Sequence, residues 1–209
     1  MKKIILLAVL AIAVNAMGAD IQITEWMYSG ANGEFVEFTN LGSTAIDMTG
    51  WSYSDSSRVA GHVSLSAFGT VAIGESVILT ETATETFRTA WNLGSSVKII
   101  GGNLTDNLGR SDEINIYDAS NALIDRLTYN DQASPKQGPR TQNISCSIPA
   151  SDYGLTTASS TWVLSSVGDK YGAWTSTGGD IASPGVIPEP ATIGLFGLGI
   201  TAIIRRKRS

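Results

Sequence analysis

The chain has 209 residues, 43% of them hydrophobic, and a formal net charge of −5 at pH 7. Outside residues 20–187 fall Lys2, Lys3, Arg205, Arg206, Lys207, Arg208 and Glu189, so that stretch keeps 8 of 14 Lys+Arg and 18 of 19 Asp+Glu, a balance of −10. This acidity argues against a nucleic-acid partner, and a single cysteine with a single histidine argues against a disulfide framework or a zinc centre.

Residues 1–19 read as a secretory signal peptide. Lys2 and Lys3 precede the apolar run Ile4 to Val14, and small residues follow, with cleavage suited after Ala16 or Ala19. The apolar run is too short for a membrane span.

Residues 20–132 carry short β-type runs: "DIQITEWMY", "EFVEFTN", "GWSYSD", "HVSLS", "TVAI", "ESVILTE", "SVKII", "EINIYD" and "ALIDRLTY". Val36 and Phe38 are predicted to share one strand face, as are Ile114 and Ile116, and Leu123, Leu127 and Tyr129. Gly, Asn, Asp and Ser clusters between the runs predict turns, and Asn40 can bond its own backbone in one of them. This spacing predicts an all-β antiparallel sandwich or barrel. Trp51 is expected at its centre. "TATETFRTAWN" departs from the pattern: Phe87 and Trp91 lie four apart, and Thr82 with Glu85 fits a capping box. We read one short helix crossing an end of the sandwich.

Residues 133–186 are rich in Ser, Thr and Gly, with an isolated strand-like "STWVLS". Trp162, Val163, Leu164, Tyr171 and Trp174 are costly to leave in water, at about 1.5–3 kcal/mol per large apolar side chain, so part of this extension is expected to pack on the sandwich. Residues 187–209 form a tail of three parts. Pro188, Glu189 and Pro190 come first, then uncharged residues 191–204, then Arg205, Arg206, Lys207 and Arg208. As a helix, the middle part is about 21 Å long at 1.5 Å per residue, marginal against a hydrocarbon core of about 30 Å. The terminal cations suit a cytoplasmic membrane stop.

Candidate sites are few. Glu25 and Glu37 interrupt apolar strands and need donors or a cation there, the structural role being the simpler reading. His62 lacks the serine elbow that a hydrolytic triad needs, and Cys146 reads as a small buried residue. Asp106, Asp112 and Glu113 in "TDNLGRSDE" are oxygen ligands suited to calcium, without the spacing of an EF-hand loop. Trp162, Tyr171 and Trp174 are candidates for a sugar-stacking platform, with core packing as the rival.

Two resemblances follow from these residues. The order Ile21, Ile23, Glu25; Val36, Glu37, Asn40; Gly50, Trp51; Gly74, Glu75 resembles the lamin-tail domain, an immunoglobulin-like module of lamins and secreted bacterial proteins. The later "STWVLS…GDIASPG" resembles the end of bacterial members. The tail resembles the PEP-CTERM sorting signal, which implies recognition of Pro188, Glu189 and Pro190 by an exosortase of an exopolysaccharide-producing Gram-negative bacterium. Together they imply a signal helix, one immunoglobulin-like sandwich and a transmembrane helix. The implied protein is exported, held briefly at the inner membrane, and left at the cell surface or in the extracellular matrix. A non-enzymatic structural or binding role is expected, without a cofactor. Extracellular polysaccharide or surface proteins are the expected partners. A carbohydrate-binding module and a small secreted hydrolase are the alternatives.

Overall fold

Ile21 and Ile23 begin a strand whose inward alternation would carry Glu25 into the core. In the computed structural model, which describes residues 20–186, that does not happen. Strand β1 (Ile21–Met27) pairs antiparallel with β2 (Phe35–Asn40), and the register shifts between Ile23 and Glu25. Thr24 is the extra residue. One inserted residue reverses the faces of all that follow. Trp26 therefore points inward with Ile21 and Ile23, and Glu25 points out with Met27. The signal peptide predicted at 1–19 and the tail predicted at 187–209, including its membrane segment, lie outside the described residues. Among the described residues no helix is long and apolar enough to cross a membrane.

Two sheets face each other. The first has the order β11-β1-β2-β7-β8, with β7 at Ser76–Thr80, β8 at Lys98–Ile100 and β11 at Cys146–Ser147. The second has the order β10-β9-β4-β5, with β4 at Ser52–Ser54, β5 at Val63–Ser64, β9 at Ser111–Tyr117 and β10 at Leu123–Asn130. A small antiparallel pair of β3 (Ile46–Asp47) and β6 (Thr70–Val71) adds Val71 and the partly buried Ile46 to the core. Between the sheets, Ile23, Trp26, Val36, Phe38, Val77 and Leu79 meet Tyr53, Ile114, Ile116, Leu127 and Tyr129. The predicted faces of Val36 with Phe38 and of Ile114 with Ile116 are present. Leu123 is the exception. A second register shift, between Leu123 and Asp125, leaves it 44% exposed.

Four further expectations are corrected. Trp51 is only partly buried at the core's margin, and the fully buried Trp26 lies in the core instead. The first sheet is not wholly antiparallel, because β7 and β8 run parallel. Parallel neighbours need a crossover, and α1 (Thr84–Ala90) supplies it. The helix lies on the outer face of the first sheet rather than across an end. Phe87 and Trp91 pack edge-on against Phe35, with ring centroids 5.6 and 6.2 Å away, and join Ile78 in a second apolar cluster. The capping box is absent. Ala83 holds the N-cap position, Thr82 Oγ1 donates to the Asn32 carbonyl, and Glu85 pairs with Arg88.

The Ser/Thr/Gly-rich extension belongs to the same body. It supplies edge strand β11, and its hairpin of β12 (Trp174–Thr175) and β13 (Ile181–Ala182) adds Ala182 to the second cluster. "STWVLS" forms no strand: Trp162 is buried, whereas Val163 is 75% exposed. Asp180 fastens the hairpin by accepting the backbone N–H of Ala31 and Asn32 at 3.0 and 2.9 Å. Asn40 makes the predicted turn, accepting from Gly42 N and donating to the carbonyls of Thr44 and Val71.

Candidate functional site

The acidic loops gather at one end of the second sheet, yet each carboxylate turns to its own structural partner. Asp106 is buried and meets His62 Nδ1 at 2.7 Å, while its Oδ2 also accepts from Asp55 N. Asp112 accepts backbone N–H groups from Ser56, Gly109 and Glu113. Glu113 takes a two-pronged bond from Arg58, at 2.7 and 2.5 Å, and a hydroxyl from Thr128. The Arg58 bond is the main cause holding the Glu113 carboxyl down, to about 2. Asp106, Asp112 and Glu113 thus do not converge on a shared cation. Among the described residues no group of three or more His, Cys, Asp and Glu side chains is arranged to hold a metal.

The three candidate aromatics are not one platform. Trp162 is buried against Trp26, centroids 5.9 Å apart, and its Nε1 donates to Asp152 Oδ2 at 2.6 Å. Trp174 stands edge-on to Trp91 on the other side of the first sheet and donates its Nε1–H to the Trp91 carbonyl. Tyr171 lies beneath the Lys170 ammonium. Cys146 is buried in the sandwich core, where burial pushes its thiol up, away from the reactive thiolate.

Glu25 and Glu37 are brought together. They are direct register partners on β1 and β2, both buried on the outer face of the first sheet. Thr24, Thr39 and Ser76 link hydroxyls beside them. Ser145 Oγ donates to Glu25 Oε1 at 2.5 Å, and Thr24 Oγ1 donates to Glu37 Oε1 at 2.7 Å. The backbone N–H of Ser183 donates to Glu25 Oε1 at 2.9 Å, and that of Gly185 to Glu37 Oε2 at 2.7 Å. Glu25 Oε2 is buried without a hydrogen-bond partner. Beside the pair is a gap of about 10 Å³ lined in part by Ser147, Ile148, Tyr153, Tyr171 and Val186. Burial raises both carboxyls above the ordinary carboxylate range, and for Glu37 the neighbouring Glu25 adds to the effect.

Three structural carboxylates escaped the sequence reading. Glu34 accepts from Leu108 N, and burial raises it to about 8. Asp125 accepts from Ile23 N across the sandwich, using a donor at the β1 bulge, and burial raises it to about 6. Asp180 is the third. An acid inside the apolar run "ALIDRLTY" was the available signal for Asp125. Asp180 sits in polar sequence and gave none.

Comparison with known proteins finds two matches. A family model described as Lamin Tail Domain matches residues 15–131, more than half of the chain. A model described as PEP-CTERM protein-sorting motif matches residues 186–208. No curated protein matches the chain.

Proposed function

Because the chain belongs to the Lamin Tail Domain family and carries a C-terminal PEP-CTERM sorting motif, we propose that it is an exported, non-enzymatic structural or binding protein of the cell surface or exopolysaccharide matrix. The observation that carries this reading is the order of the two family matches along the chain. The Lamin Tail Domain match covers residues 15–131 and the sorting match covers residues 186–208, beyond the last described strand, which ends at Ala182. On this reading the β-sandwich is what is delivered, and the motif directs its delivery. The described polar groups support a structural role, since the strongly buried carboxylates are bonded to backbone N–H groups and hydroxyls of the fold itself.

An exosortase reads Pro188, Glu189 and Pro190 while the tail holds the chain in the inner membrane, with Arg205 to Arg208 on the cytoplasmic side. The cleaved domain then leaves the membrane for the matrix. The experiment compares the full chain with one truncated after Val186, expressed in an exosortase-bearing host and fractionated into membrane, surface and medium. The reading expects surface or medium delivery of a shortened full-chain product, and loss of the membrane intermediate in the truncated chain. Identical distribution of the two would overturn it.

A further inference from the structure

We propose that the side-by-side carboxyl groups of Glu25 and Glu37 form a proton-operated catch for Ser183–Val186, which regulates how tightly the sorting motif is held to the folded domain. The second half of this proposal rests on the sorting function above. The two carboxyls belong to directly paired residues, and each accepts one backbone N–H from the same short segment, Ser183 on one side and Gly185 on the other. That segment is the last described stretch before the motif, and Pro188 follows Val186 by two residues.

The titratable groups facing the pair are Asp169, Tyr153, Tyr171 and Cys146. None is a cation, and among the described residues no ion pair reaches Glu25 or Glu37. The backbone N–H bonds favour the charged form, but burial outweighs them at both carboxyls, and the second acid opposes a second charge. The gap beside the pair, about 10 Å³, has room for about one water. Two buried negative charges cannot be hydrated there while the segment stays docked. Its displacement admits water, and freeing four residues adds up to roughly 13 Å of reach at about 3.3 Å per residue.

The sign follows from the raised carboxyls. The docked state holds its protons more tightly than the open state, so docking is strongest in acid and weakens as pH rises through the docked-state value. The test is amide hydrogen exchange of Ser183 and Gly185 in the full chain in detergent micelles from pH 5 to 9, expressed as protection relative to the intrinsic rate. Protection is expected to fall by about tenfold per pH unit for one titrating proton, with Phe38 and Ile78 amides unaffected. Glu37→Gln keeps an acceptor for Gly185 and removes one of the two titrations, and the double variant Glu25→Gln with Glu37→Gln removes both, so its protection should be flat. Should the double variant misfold, either single Gln variant should show a shallower fall than the natural chain. Flat protection in the natural chain, or an unchanged pH dependence in the Gln variants, overturns the catch. Processing is then followed in producing cells, where the Gln variants should be cleaved more slowly. Equal cleavage overturns the link to sorting while the catch stands. An uncleaved natural chain overturns the sorting function itself.

Discussion

Replacing Trp162 with alanine removes a side chain that is only 5% exposed, although it comes from a segment with little regular structure. Burying a tryptophan removes about 150–250 Å² from water, worth roughly 4–6 kcal/mol at about 25 cal/mol per Å² as an upper bound. The site borders loops that can partly collapse, which lowers the cost. The lost hydrogen bond to Asp152 adds little because that carboxylate regains water. A loss of about 3 kcal/mol is expected for Trp162→Ala, inside the usual range for large aromatic truncations. Urea unfolding followed by far-ultraviolet circular dichroism reads it, with a lower midpoint and an unchanged slope. A loss below about 1 kcal/mol would refute the reasoning, for it would make the extension a loosely attached linker.

Asp180→Ala should cost about 2–3 kcal/mol, because it leaves the N–H groups of Ala31 and Asn32 without their acceptor; exchange at those two amides should rise together. Glu34→Gln tests a carboxyl raised to about 8. The natural chain keeps this group's full stability below about pH 4.5 and loses it as pH rises through 8, so urea midpoints of variant and natural chain should lie closest in acid and separate by pH 9 in favour of the variant. Glu113 is held down to about 2, so its contribution is present above its ordinary range and lost as pH falls through that value. Arg58→Ala should shallow the acid side of the stability profile, with little effect at high salt.

Alternation and turn residues made most strands legible, because those signals are local. Thr24 shows where local reading ends. A bulge is decided by pairing with β2, and it moved Glu25 out of the core and Trp26 into it. The pairing of Glu25 with Glu37 followed from that shift and from no motif. The helix was legible in Phe87 and Trp91, but the face it covers was not, since that depends on the β7–β8 crossover. "STWVLS" misled because Trp162 packs inward from an irregular loop and Val163 faces water. The tail was the most legible element, as its three chemical parts lie consecutively in the chain.

The most direct measurement of the central claim is the intact mass and C-terminal peptide of the mature protein, taken separately from membrane, cell surface and medium. The account predicts a domain that ends near Pro188 and is recovered outside the membrane. A product still carrying Ser209 and confined to the membrane would contradict it.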